Sequence, residues 1–223
     1  MDVDSLISLF HIHAALIEHA QVFCPPGFVK AIESSCNSLQ NIATWLMRRY
    51  FDQTDIDMRL CIIEHISAAA ALLRRSDMSR FAANEAHAIA SDGNCRPNQI
   101  IRAIALTDAD IPAPLPSTGI TCMSDLCAII AGNRAGITSV SNADINHAFS
   151  IIANDAISSA DTSALMDISR NIHTCRHTLL DSMTILLNVA ETLKKCDRLP
   201  HEQRYAMAQY LKAEIIIRNF NAA

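Results

Sequence analysis

The sequence predicts an all-α protein, a multi-helix bundle of about eight or nine helices with a Pro-rich connector near its middle. Three observations predict it. Apolar side chains recur every three or four positions along most of the chain. Only five glycines occur in 223 residues, too few for the turns of a strand-rich chain. Half the residues are hydrophobic and 18% are charged, a mix that builds a packed core rather than a disordered chain.

The first predicted helix runs from about Asp4 to Phe23 and is broken by Pro25, Pro26 and Gly27. The second runs from about Phe28 to Phe51, with Val29, Ile32, Cys36, Leu39, Ala43 and Leu46 at helical spacing. A third is opened by Thr54 as a cap answered by Asp57, and continues to about Arg75. An alanine-rich fourth stops at Ser91–Asp92–Gly93. Pro97 opens a short fifth that ends near Leu106.

From Thr107 to Gly119, Pro112, Pro114 and Pro116 occupy alternate positions, which neither a helix nor a central strand survives. This extended connector divides the chain into an N-terminal bundle (1–106) and a C-terminal helical segment (121–223), with 107–120 between them. The other reading makes it a surface crossover within one domain. Beyond it, a short helix ends at Gly132, and Ser141 and Asp144 stand at capping-box spacing before the next. A long helix is predicted from near Asp161 to Lys194–Lys195, roughly 50 Å if unbroken. The last runs from Pro200 to about Phe220.

Composition narrows the functions. The formal net charge is −5 and the basic residues are scattered, which argues against a nucleic-acid partner that must neutralise phosphates. No apolar run reaches the roughly 18 residues of a membrane span. The acidic start has no basic leader region. The expected compartment is the cytoplasm, or the cytosol of another cell if the chain is exported without a cleaved signal. The eight cysteines form no CxxC pair and are read as reduced thiols, Cys36, Cys61 and Cys175 packing on apolar stripes as small hydrophobes.

The histidines supply the candidate sites. In the first helix His13 falls within the stripe of Leu6, Leu9, Leu16, Ile17 and Ala20, with His11 on the opposite face. His65 lies among Met58, Ile62, Ile66, Ala69 and Leu72 in the third. His13 and His65 are therefore expected in the core, bonded to a carbonyl or a partner side chain, or acting as a buried pH-sensitive pair. On the predicted long helix, His173, His177 and Asp181 share a strip away from Leu165, Ile168, Ile172, Cys175, Leu179, Met183, Leu186 and Leu193. An i, i+4 histidine pair with a carboxylate is a zinc-chelating geometry, although Arg170 and Arg176 nearby oppose a cation. No HExxH is present, and none of the seven glutamates is followed by histidine three residues on, as a di-iron bundle requires.

Three functions follow. The first is a non-enzymatic regulatory or interaction protein presenting a helical face to a protein partner or to itself as a homo-oligomer. In this reading Ile215, Ile216, Ile217 and Phe220 form the interface, because three adjacent isoleucines cover more of a helix than one packed face can bury. The second is an enzyme or ligand-binding protein with a cavity between helices, metal-assisted at His173, His177 and Asp181 with zinc as the cofactor. The third is a DNA-binding regulator, with Gly93 in the turn of a helix-turn-helix and Asn98, Gln99 and Arg102 facing bases.

Overall fold

The computed structural model describes residues 1–22, 27–107, 113, 119–172, 175, 183–197, 199–201, 204–205, 207–209, 211–212 and 215. The described residues form helices joined by turns, with no strand among them. In chain order the helices are α1 (Val3–Val22), α2 (Val29–Tyr50), α3 (Ile56–Leu73), α4 (Ser76–Ala90), α5 (Pro97–Ile104), α6 (Met123–Arg134), α7 (Asn142–Ser158), α8 (Thr162–Asn171) and α9 (Met183–Lys195). A tenth includes the described residues between His201 and Ile215. Pro112, Pro114 and Pro116 lie outside the described residues.

The helix starts obey local chemistry, with one adjustment. Asp55, not Thr54, caps α3: its backbone is extended, and its carboxylate accepts from the backbone N–H groups of Asp57 and Met58 at 3.3 Å each. Asp57 is thereby left to turn its side chain toward α5. Pro97 opens α5, where its missing N–H costs nothing. Ser141 caps α7, accepting from the Asp144 N–H at 3.1 Å and donating to the Asp144 carboxylate at 2.6 Å. Asp161 caps α8 through the N–H groups of Ser163 and Ala164.

Two predicted helix ends move. α6 passes through Gly132 and ends at Arg134. A Cβ on Gly132 would sit 2.9 Å from Thr138 Oγ1, so this glycine admits a close neighbour rather than ending a helix. Thr138 in turn donates to the Ile129 carbonyl at 3.1 Å. The expected long helix is interrupted: α8 closes at Asn171, Ile172 and Cys175 stand in turns, and among the described residues α9 covers Met183–Lys195. Ile172, Cys175, Leu186 and Leu193 are all fully buried, so the apolar period survives the interruption. Periodicity records which side chains are covered, not whether one helix axis carries them.

Among the described residues the buried apolar side chains gather into two clusters. One is drawn from α1 to α5 and includes Phe10, Leu39, Tyr50, Ile62 and Ile66. The other begins at α6 and includes Leu126, Phe149, Ile168, Val189 and Leu211. α5 packs on α6, and α1 touches α8, so the two clusters meet along a seam. A buried polar network centred on Arg102 of α5 lies on that seam.

Candidate functional site

α5 is one short helix with two duties. Ile101, Ala103 and Ile104 bury into apolar surroundings, while Asn98, Gln99 and Arg102 are also buried, against polar partners. Arg102 is 1% exposed and makes five hydrogen bonds. Its Nε and Nη2 donate to the two carboxylate oxygens of Glu64 at 2.9 and 2.8 Å, a bidentate pair. Its Nη1 reaches Asp57 Oδ1 at 3.5 Å and Ser124 Oγ at 3.4 Å, and its Nη2 also reaches Asn171 Oδ1 at 3.3 Å. One guanidinium thus ties α3, α6 and α8 to α5. Burial works against its charge, but attraction and hydrogen bonds from Glu64 outweigh this and hold the Arg102 pKa well above its ordinary value.

The partners are themselves held. Ser124 Oγ donates to Asp57 Oδ1 at 2.8 Å, and Gln99 Nε2 donates to Asp57 Oδ2 at 3.1 Å. Arg96 also bonds Asp57 Oδ2. Asn98 donates to Asp125, whose other oxygen accepts from the Thr121 N–H and hydroxyl at 3.1 and 2.8 Å. Asn171 donates to Asp167 Oδ1 at 2.9 Å. Arg170 grips Asp4 with two nitrogens and pins α1 to α8.

This network floors a polar cleft of about 530 Å³ between the start of α3, the start of α6, the end of α7 and α8. Five aspartates line it, Asp55, Asp57, Asp155, Asp161 and Asp167, against the two guanidiniums of Arg96 and Arg170. Most of that acidity is already engaged. Asp55 and Asp161 cap helices, and Asp57 is bonded to Arg96, Gln99 and Ser124. Asp167 accepts from Asn171 Nδ2 at 2.9 Å, and burial raises its pKa above the usual carboxylate value, although Arg102 and Arg170 oppose the rise. Among the described residues no group of three or more His, Cys, Asp or Glu side chains is arranged to hold a metal ion.

A second polar island lies within the first core. His65 is fully buried, its Nδ1 2.6 Å from the Cys61 carbonyl and its Nε2 3.3 Å from Nε2 of His11. The carbonyl fixes the proton of His65 on Nδ1, so its Nε2 accepts from His11 Nε2–H. Phe10 stands edge-on to both rings. Burial lowers the His65 pKa despite the carbonyl bond. The expected partner was His13, and it is His11 that is buried while His13 is half-buried. Leu16, assigned to the buried stripe, is 52% exposed. The apolar residues of α1 cover more than half its circumference, and its polar side of Asp4, Ser8 and His11 is itself covered by α3 and α8, so its pattern of residues does not define a single inward face.

An apolar groove opens on the outer side of α1 and α2. It has a volume of about 220 Å³ and is lined by Leu16, Ala20, Phe28, Ala31 and Ile32, with His19 and Ser35 as its polar groups. Phe28 is 60% exposed, and Val29 beside it is half exposed.

The predicted site residues fare unequally. His173, His177, Asp181, Ile216, Ile217 and Phe220 lie outside the described residues, and Ile215 is half-buried against the second core. Asn98, Gln99 and Arg102, expected to face bases, are instead buried on Asp125, Asp57 and Glu64, and this corrects the helix-turn-helix assignment for these side chains. The Glu64–Arg102 centre was not foreseen. Its one sequence signal is that Asp57 and Glu64 stand seven residues apart, on one face of a largely apolar helix. No protein-family model, curated protein or solved structure matches the chain. No helix among the described residues is long and apolar enough to cross a membrane.

Proposed function

We propose that this chain is a non-enzymatic helical interaction protein that docks a protein partner, or a second copy of itself, in the groove between α1 and α2. The observation that carries the reading is the pair Phe28 and Leu16, each more than half exposed at the rim of an apolar groove. Each is already partly covered, so burying the rest is worth about 1–2 kcal/mol per side chain, a contribution that can anchor an interface. The polar seam supports the same reading from the other side. Its charges are spent on joining helices, which makes a rigid body rather than a reactive centre.

The test is sedimentation of the native protein and of the Leu16→Asp/Phe28→Asp variant, from low to high concentration. Both side chains are exposed, so the variant keeps the native helical content. Self-association in the native protein alone assigns the groove to a second copy. If both stay monomeric, a displayed library of amphipathic helical peptides is selected on each. Peptides that bind the native protein and not the variant place a foreign helix in the groove. Equal behaviour of native and variant protein in both assays refutes the reading.

A second reading, a ligand-binding or catalytic protein, is favoured by Asp167 in the polar cleft. Its assay is thermal stabilisation by a panel of small cationic and zwitterionic compounds, compared between native protein and Asp167→Asn. The metal-assisted form of this reading, at His173, His177 and Asp181, is tested by metal analysis and by the melting temperature with added zinc. No stoichiometric metal and no zinc-induced shift together reject it.

A further inference from the structure

Cys127 on α6 and Cys175 in the turn after α8 are separated by 48 positions, yet their sulfurs lie 3.6 Å apart and both side chains are fully buried. A disulfide needs about 2.0 Å between sulfurs, so closing the bond moves them together by roughly 1.5 Å. Each thiol also follows closely on a residue that bonds Arg102: Cys127 comes three positions after Ser124 within α6, and Cys175 comes four positions after Asn171. The polar seam and the sulfur pair are thus successive layers of one junction.

We propose that Cys127 and Cys175 are a disulfide-forming pair, oxidised by exchange with a low-molecular-weight disulfide of the glutathione type, which staples α6 to the turn after α8 and tightens the Arg102 junction. Cys127 is held inside α6, where the hydrogen bond with Cys175, then burial, push its thiol well above the ordinary range, whereas Cys175 stands in a turn; Cys175 is therefore assigned as the attacking sulfur. Cys175, fully buried in the closed state, reacts when local unfolding brings its sulfur to solvent. Its thiolate displaces one thiol from the small disulfide and forms a mixed disulfide. Cys127, losing its proton to solvent, then attacks the Cys175 sulfur and displaces the second thiol. Two protein thiols are oxidised, one small disulfide is reduced to two thiols, and the protein loses two hydrogens. The new covalent link closes a 48-residue separation, and a loop of that size restricts the unfolded chain strongly.

The experiment treats the folded native protein with oxidised glutathione, blocks remaining thiols by alkylation, and maps the peptides without reduction. The expected product is a single intramolecular Cys127–Cys175 cross-link, two hydrogens lighter, reversed by dithiothreitol. Its melting temperature should exceed that of the reduced protein. Cys127→Ser under the same conditions should carry a glutathione adduct on Cys175, no cross-link and no rise in melting temperature. The proposal is overturned if Cys127 and Cys175 remain thiols while the half-buried Cys36 or Cys95 take up glutathione, or if the cross-link joins other cysteines. An oxidised protein that melts no higher than the reduced one overturns it as well. The peptide map of the native protein carries the test even if the serine variant does not fold.

Discussion

Arg102→Met is the substitution with the largest consequence the structure defines. It removes a guanidinium that is 1% exposed and makes five hydrogen bonds, and it replaces the stem with one of similar length. The apolar packing of the stem is largely kept, so the loss is electrostatic. Glu64, with 8% of its side chain exposed, is left facing a thioether, and Asp57 retains Arg96, Gln99 and Ser124. Breaking a buried ion pair from one side costs about 3–5 kcal/mol, because the remaining charge stays desolvated. For a chain of this size each kcal/mol shifts the melting temperature by about 2–4 °C, so the midpoint should fall by roughly 6–20 °C. Urea unfolding followed by helical circular dichroism measures the loss directly. Arg102→Met/Glu64→Leu should recover most of it, since no lone charge remains at the seam. A single variant within about 1 kcal/mol of the native protein would falsify the assignment of Arg102 as the electrostatic tie of the seam. A double variant no more stable than the single one would show that the loss came from packing instead.

Two further outcomes follow from the same geometry. Burial lowers the folded-state pKa of His65 below the unfolded value near 6.5, so above that pH both states are neutral and its contribution is constant. As pH falls through the unfolded value, the unfolded chain takes up a proton that the folded one refuses. Stability is therefore lost by up to about 1.4 kcal/mol per pH unit until the lower folded pKa is reached, and urea titrations should show a shallower slope for His65→Gln. Gly132→Ala should destabilise by about 1–3 kcal/mol, because its Cβ would meet Thr138 Oγ1 at 2.9 Å, Thr138 Cγ2 at 3.0 Å and Ile101 Cγ2 at 3.3 Å. An unchanged or raised melting temperature for this variant would mean that the Thr138 loop gives way freely.

The difference between what could and could not be read from the chain is clearest at α1 and α5. Residues 3–22 form a helix, as the apolar density requires, but the choice between His11 and His13 as the buried imidazole depends on which face α3 covers. A stripe more than half the circumference wide contains no such information. In α5, Asn98, Gln99 and Arg102 look like a polar outer face for binding something. They are an inner face, because α3 and α6 bring Asp57, Glu64, Ser124 and Asp125 to meet them. A buried cation cannot be told from an exposed one by its own segment. The distinction rests on a counter-charge supplied from 38 residues away.

The sequence by itself determined the all-helical class and several of the helix starts. Proline at the first position of α5, serine before α7 and aspartate before α8 act through backbone groups two or three residues off, and such chemistry is complete within a few positions. It also determined that half the side chains would seek cover. Only the tertiary structure decided which did so together: two apolar clusters, a guanidinium sealed between them, two imidazoles 3.3 Å apart and two thiols 3.6 Å apart. The physical reason is range. Capping and turn formation are settled between neighbours in the chain. Burial and charge pairing are settled between neighbours in space, and one-dimensional order leaves those partners unspecified until the helices pack.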